Sequence, residues 1–114
     1  LAPYLTTLII RLTSPRLKSC FVRLAIVRES AVERALVKRV KALGGMCEKF
    51  TSPGRRSVPD RIVSLPDGKI VFVELKAPGE KPTVLQIRDH QRRKALGFDV
   101  RVIDSVENAN AFTL

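Results

Sequence analysis

The sequence predicts an α/β fold in which helices flank a mixed β-sheet, with the element order α-β-β-β-α-β-α. This prediction rests on three features. Apolar residues recur at helical spacing ahead of Gly44-Gly45, two β-branched runs enclose the turn sequence Pro66-Asp67-Gly68, and a second helical segment leads to one more strand. With 114 residues the chain is long enough for one small domain.

The first helix is predicted over residues 28–43, from Arg28 to Leu43. Its apolar stripe consists of Val32, Leu36, Val40 and Leu43. Ser30 and Glu33 have the S-x-x-E spacing of a capping box, and Gly44-Gly45 ends the helix. A short strand is expected next, over residues 46–50.

Two β-branched runs, separated by Pro66-Asp67-Gly68, predict a hairpin from Asp60 to Lys76. Side chains alternate between the faces of a strand, so Glu74 and Lys76 share one face while Leu75 points into the core. We therefore expect two carboxylates and an ammonium group to converge at one end of this hairpin.

The remaining elements complete the fold. A second helix is predicted from Pro82 to Leu96, because proline is tolerated in a first turn, and Gly97 ends it. Residues 98–103 are predicted to form the last strand. Asp104 or Ser105 can then cap a short closing helix.

The composition favours a polyanionic partner. The formal net charge is +10, which on a short chain points most simply to nucleic acid. Ribosomal and tail-like basic proteins also carry such charge, but they usually lack a buried acidic cluster. Cys20 and Cys47 are far apart, so neither a disulfide framework nor a zinc site is expected. No run is long enough to span a membrane, and we expect a cytoplasmic protein of a bacterial or phage-infected host cell.

Residues 1–27 differ in character from residues 28–114. They contain basic residues but no acidic one, include Pro3 and Pro15, and show no clean helical or strand period. They could be a transit-like or signal-like peptide, an irregular extension, or upstream sequence translated from a start assigned too early. We favour the third interpretation, with a native start at Val27 and a domain over residues 28–114.

Asp60, Glu74 and Lys76 have the chemistry of a metal-dependent phosphodiesterase. Mg²⁺ takes oxygen ligands, which Asp60 and Glu74 can supply together with the backbone carbonyl of Leu75. Lys76 can hold the attacking water or stabilise charge on the phosphorane. The alternative is an ordinary surface hairpin with a weak Glu74–Lys76 ion pair. The placement of these residues on a hairpin of a basic domain favours the site.

Pattern alone leaves two interpretations open for Glu33 and two for Gln86. Glu33 either belongs to the capping box or borders the apolar face and points toward the hairpin. Gln86, early in the second helix, either binds the attacking water or a phosphate, or faces solvent. His90 is expected on the polar side of that helix, without a role as base or ligand.

Basic residues cluster in the loop before the hairpin and on the second helix. The candidate phosphate contacts are Arg55, Arg56, Arg61, Arg88, Arg92, Arg93 and Lys94. Such contacts give salt-dependent binding with little sequence information. Aromatic residues are sparse, which favours duplex or branched DNA over single strands.

Several of these features resemble, in order, the virus-type replication-repair nuclease domain (VRR-NUC), a branch of the PD-(D/E)xK nuclease superfamily. The resemblance covers roughly residues 28–105. It is carried by the helix with Glu33, the Gly44-Gly45 helix end, Pro59-Asp60-Arg61, Glu74-Leu75-Lys76, Lys81-Pro82-Thr83 with Leu85-Gln86, and Leu96-Gly97-Phe98. One position departs from the pattern, because Ser57 stands where the family often has glycine.

The resemblance implies a restriction-endonuclease-like core and a set of site residues. Asp60 and Glu74 correspond to the metal ligands, Glu33 to the acid of the first helix, Lys76 to the catalytic lysine, and Gln86 to the glutamine of the second helix. It further implies Mg²⁺- or Mn²⁺-dependent endonuclease activity on structured DNA, with four-way junctions as a candidate substrate, and a homodimer. Members that consist of this domain alone occur in bacteriophages and bacteria.

We therefore expect a Mg²⁺-dependent DNA endonuclease of phage or bacterial replication or repair. One alternative is a DNA-binding module on the same fold that has lost catalysis. Another is an assembly protein whose basic face docks an acidic partner, and a third is a nuclease that acts on linear ends or flaps.

Overall fold

The computed structural model describes the backbone of residues 15–114 and the side chains from residue 29 onward. A mixed four-stranded sheet lies between helices, as the sequence predicts. The elements are α1 (Pro15–Ala42), β1 (Met46–Lys49), β2 (Arg61–Leu65), a 3₁₀ turn (Pro66–Gly68), β3 (Lys69–Leu75), α2 (Val84–Ala95), β4 (Asp99–Ile103) and α3 (Val106–Asn110). None of the helices in this part of the chain is both long and apolar enough to cross a membrane.

The sheet has the order β1-β2-β3-β4. The first three strands pair antiparallel, and β3 pairs parallel with β4, with Glu74 opposite Val102. Helix α2 forms the crossover that a parallel pair requires. Strand β3 is therefore central, and its last five residues are buried.

The two faces of β3 have different partners. Val71, Val73 and Leu75 join one apolar cluster with α1, which contributes the fully buried Val32 and Leu36. On the opposite face, Phe72 and Glu74 lie on the side of the sheet that α2 covers. The strand alternation thus directs Glu74 away from the main core and toward α2.

The predicted start of the first helix at Arg28 is wrong. Helix α1 runs without interruption from Pro15, so Ser30 and Glu33 lie inside it. A capping box needs a non-helical residue at the N-cap, and Ser30 therefore cannot form one. Residues 15–27, which show no clean helical or strand period in the sequence, form the first part of this helix. Residues 1–14 of the predicted leader lie outside the described residues, and the domain boundary at residue 28 stays a prediction.

Other predicted boundaries are close to those observed. Gly44 follows the end of α1 with a φ of 82°, which glycine adopts without strain. The hairpin turn is a short 3₁₀ turn in which Asp67 also has a positive φ of 68°. Helix α2 begins two residues after the predicted Pro82, because Thr83 is its N-cap.

Candidate active site

Asp60 immediately precedes β2, and its carboxylate is anchored to the end of β3. Oδ2 of Asp60 accepts a hydrogen bond from the backbone N–H of Leu75 at 2.8 Å. This bond crosses from one strand of the hairpin to the other, so the register of β2 with β3 fixes the position of the carboxylate. Asp60 itself remains exposed.

Glu74 is buried beneath α2 and has a mixed set of partners. Its side chain is 1% exposed. Oε1 accepts a hydrogen bond from Nε2 of Gln86 at 2.8 Å and lies 3.5 Å from Nζ of Lys76. Oε2 has no hydrogen-bond partner within the described residues. The predicted convergence of Asp60, Glu74 and Lys76 is therefore present, although Glu74 lies deeper than a surface ion pair would.

The environment of Glu74 disfavours its ionised form. Burial is the largest cause and the nearby Asp60 charge the second, and together they raise the pKa of Glu74 to about 7 despite the opposing effect of Lys76. A buried carboxylate with an unpaired oxygen beside a second carboxylate is the arrangement that a bound cation would relieve.

Glu33 lies near Asp60 but is paired elsewhere. Its carboxylate forms an ion pair with the guanidinium group of Arg61, which also donates to the backbone carbonyl of Cys47 at 3.3 Å. Glu33, Asp60, Arg61 and Leu75 all line a cleft of about 220 Å³. Glu33 thus points inward, as one of its two interpretations held, and the capping-box interpretation is wrong.

Gln86 and Thr83 form the capping box of α2. Oγ1 of Thr83 accepts from the N–H of Gln86, and Oε1 of Gln86 accepts from the N–H of Thr83. The amide oxygen of Gln86 therefore caps the helix while its amide nitrogen binds Glu74. The interpretation of Gln86 as a solvent-facing residue is wrong, and its catalytic role stays a prediction.

Comparison with known proteins assigns the chain to a family. It is 59% identical over 80 residues to "Putative nuclease p44" of Acyrthosiphon pisum secondary endosymbiont phage 1, across 70% of this chain and 86% of that protein. A solved structure named "VRR_NUC domain" is 37% identical, with a TM-score of 0.69, and the match covers 73% of this chain and 90% of that one. The chain belongs to the VRR-NUC nuclease family. A scan against models of protein families found no match.

Membership of the VRR-NUC family confirms the resemblance and the restriction-endonuclease-like fold class. It also supports a nuclease whose substrate is DNA. Within the described residues, no group of three or more His, Cys, Asp or Glu side chains is arranged to hold a metal ion, in keeping with the engagement of Glu33 by Arg61.

Two of the seven predicted DNA contacts in this VRR-NUC protein are committed to internal interactions. The side chain of Arg61 is 11% exposed and that of Arg93 is 18% exposed. Arg93 donates from Nε to Asp89 at 2.7 Å and lies over the rings of Phe50 and Phe72. These two guanidinium groups are therefore not the free surface charges that the sequence suggested. The other five, Arg55, Arg56, Arg88, Arg92 and Lys94, are exposed.

The sequence also led to a wrong placement of His90. This residue is buried, on the sheet-facing side of α2, with Nε2 3.8 Å from Oε2 of Glu74. Nε2 has no hydrogen-bond partner among the described residues, and burial lowers the pKa of the imidazole. His90 follows Gln86 by four residues, one helical turn, and this spacing was the available sign that both face the same carboxylate.

Proposed function

We propose that this protein is a Mg²⁺-dependent endonuclease that hydrolyses phosphodiester bonds in structured DNA during phage or bacterial replication or repair. The proposal rests above all on Glu74, a buried carboxylate with an unpaired oxygen next to Asp60. Burying a carboxylate this completely costs desolvation free energy and lowers the stability of the fold. A functional role for Glu74 is therefore favoured. The names of the relatives, one a phage nuclease and one a VRR_NUC domain, agree with this reaction class.

The residues fit a hard divalent cation. Asp60 is oriented by Leu75 N–H, Glu74 has a free oxygen, and both are oxygen donors of the kind that Mg²⁺ and Mn²⁺ prefer. The backbone carbonyl of Leu75 would be a further ligand, and Glu33 another once it leaves Arg61. A cation bound there would polarise the scissile phosphate and lower the pKa of a bound water.

The chain's own side chains would then position the reactants. Nζ of Lys76, held 3.5 Å from Oε1 of Glu74, would donate a hydrogen bond to the attacking water or to a phosphate oxygen. Gln86 would act mainly on Glu74, because its amide nitrogen is bonded to that carboxylate. Its predicted contact with the attacking water would require this bond to be shared.

The substrate proposal follows from charge and shape. The exposed cationic side chains would hold the backbone of duplex or branched DNA, and four-way junctions are a candidate because they need two cuts. A homodimer would supply two sites related by a two-fold axis, which matches the symmetry of such a junction.

Cleavage of labelled DNA tests this proposal. The full chain would be incubated with four-way junction, flap and linear duplex DNA in Mg²⁺, Mn²⁺ or EDTA. Asp60→Asn and Glu74→Gln, which keep the shape of each side chain, would run beside Asp67→Asn, which removes an exposed turn carboxylate on the other end of the hairpin.

We expect metal-dependent cutting that Asp60→Asn and Glu74→Gln abolish and Asp67→Asn leaves intact. Preference for the junction over the flap and the linear duplex would support the proposed substrate. Tight DNA binding without cutting in either metal would instead identify an inactive DNA-binding module, and equal activity in EDTA would exclude the metal-dependent mechanism.

A further inference from the structure

A second, basic pocket lies beside the candidate active site, between the loop of residues 51–58 and helix α2. Its volume is about 180 Å³. It is lined by Arg55, Ser57, Leu85, Arg88, Asp89 and Arg92. Three of these six side chains are guanidinium groups, and the pocket is separate from the cleft that holds Asp60 and Glu33.

The helical wall of the pocket is one face of α2. Leu85, Arg88, Asp89 and Arg92 recur at i, i+3, i+4 and i+7, so they lie one above another along the helix. Arg88 and Arg92 are exposed and take part in none of the ion pairs formed within the described residues. Their donors are therefore available to a ligand.

Asp89 organises the pocket without making it acidic. Its side chain is 3% exposed, and each of its oxygens faces a guanidinium group. Oδ2 accepts from Nε of Arg93 at 2.7 Å, and Oδ1 lies 3.6 Å from Nη1 of Arg55. Arg55 is half exposed, so its remaining donors face the pocket and solvent. Asp89 thus holds Arg55 in place, and the two guanidinium groups balance its negative charge.

The pocket lies close to the reacting centre along both of its walls. On the loop, Ser57 precedes Asp60 by three residues. On the helix, Asp89 lines the pocket and follows Gln86 by three residues, so the two are neighbours on the helix surface, and Gln86 is bonded to Glu74. A DNA strand that places its scissile phosphate at Glu74 would therefore carry a neighbouring phosphate toward the pocket.

We infer that this pocket binds a phosphate group of the DNA strand adjacent to the scissile phosphate, through Arg55, Arg88 and Arg92. The inference rests on the proposed function, since it takes DNA as the substrate. The volume is below the range that holds a drug-sized ligand, and the lining residues include no aromatic ring for a base to stack on. Converging guanidinium groups suit phosphate oxygens, which they bind in a bidentate manner.

The salt dependence of DNA binding tests the inference. Binding of a fluorescent duplex to the full chain would be measured by anisotropy in EDTA, where no cutting is expected, at several salt concentrations. The variant Arg88→Gln/Arg92→Gln would be compared with Lys41→Gln/Lys69→Gln, which removes two exposed charges at the far ends of α1 and β3. Arg88→Lys/Arg92→Lys keeps the charge but loses the bidentate geometry.

The arginine-to-glutamine pair should weaken binding about tenfold at physiological salt and lower the slope of log K against log salt by about 1, the value for one phosphate. The Arg88→Lys/Arg92→Lys variant should keep the slope of the original protein but only part of its affinity for DNA. If the pocket variant and the distant control lose equal affinity and equal slope, the inference is overturned. Thermal unfolding of each variant would confirm that the fold is kept.

Duplexes with and without a 5′-phosphate separate two sources of the group. A larger loss of affinity for the 5′-phosphorylated duplex would assign the pocket to a terminal phosphate, and an equal loss for both duplexes would assign it to an internal one.

The outcome is distinguishable from that of the proposed function. Pocket-dependent binding without metal-dependent cutting would overturn the nuclease proposal alone, whereas cutting with no pocket dependence would overturn this inference alone.

Discussion

Gln86 joins helix α2 to Glu74 through a single amide group. Its oxygen accepts from the N–H of Thr83 and completes the capping box, while its nitrogen donates to Oε1 of Glu74 at 2.8 Å. The start of the helix and the orientation of the buried carboxylate therefore depend on the same side chain. This coupling predicts that two conservative substitutions will separate stability from activity.

Gln86→Glu should keep the helix but lower activity. Glutamate is also a good capping-box residue at this position, so the cap is retained. The donor to Glu74 is replaced by a like charge, and we expect cleavage to fall about 10- to 100-fold, as for other residues that orient metal ligands. Thr83→Ala is the matched variant, expected to cost about 1 kcal/mol of stability with a smaller effect on the rate. Equal activity losses in the two variants would show that the amide acts only through the helix.

Glu74→Gln should stabilise the metal-free protein at neutral and alkaline pH. Because the pKa of Glu74 is raised from 4.5 to about 7, its contribution to stability is fully present below pH 4.5 and is lost as the pH rises through 7. A glutamine carries no charge to bury and can donate to Asp60. In EDTA at pH 8 we expect the variant to unfold at a higher denaturant concentration than the original protein. Its free energy of unfolding should be larger by about 1 to 3 kcal/mol. The difference should shrink at pH 4.5, and an unchanged difference across this range would contradict the assignment.

Gly45→Ala should destabilise the domain because Gly45, the last residue of the connection between α1 and β1, is tightly packed. A Cβ at Gly45 would clash with the backbone oxygen of Ser64 and lie 3.1 Å from Cγ1 of Val40. Backbone must move to relieve this contact, at a cost of about 1 to 3 kcal/mol. Gly54→Ala is the control, since nothing lies within 4 Å of its Cβ position. Chemical denaturation of both variants measures the difference, which should be absent if the α1–β1 connection can shift freely.

Arg93→Gln should lower stability without changing the salt dependence of DNA binding. The guanidinium carbon lies 4.7 Å from the ring centroid of Phe72 and 5.1 Å from that of Phe50, and Nε binds the buried Asp89. Without this guanidinium group Asp89 keeps only the longer contact with Arg55, and we expect the free energy of unfolding to fall by about 2 kcal/mol. Arg88→Gln removes one charge from the same helix and is the matched control. We expect it to lower the salt dependence of DNA binding and to leave the stability unchanged. A reduced salt slope in Arg93→Gln would mean that this arginine reaches DNA after all.

The hairpin and its carboxylates were predictable from the sequence because strand geometry is local. Alternation along β3 places Glu74 and Leu75 on opposite faces whatever the rest of the fold does. The pairing of Asp60 with Leu75 N–H was not predictable in detail, because it depends on the register across the turn.

The errors arose where tertiary contacts override local pattern. Ser30 and Glu33 have capping-box spacing, but the residues before them continue the helix and no cap is needed. The true capping box, Thr83 with Gln86, has the related T-x-x-Q spacing and is a local signal that begins one residue after the predicted helix start at Pro82. His90 looked like a polar surface residue because its burial comes from the packing of α2 against β3, which no window of the sequence contains.

The position of a bound metal tests the proposed site most directly. Crystals of the protein grown with Mn²⁺ would be measured by anomalous diffraction, which locates that ion independently of any activity. We expect an anomalous peak in contact with carboxylate oxygens of both Asp60 and Glu74, at about 2.1 Å for a tightly coordinated small divalent ion. A peak elsewhere, or none at this pair with Oε2 of Glu74 still unpaired, would show that these carboxylates do not form the metal site.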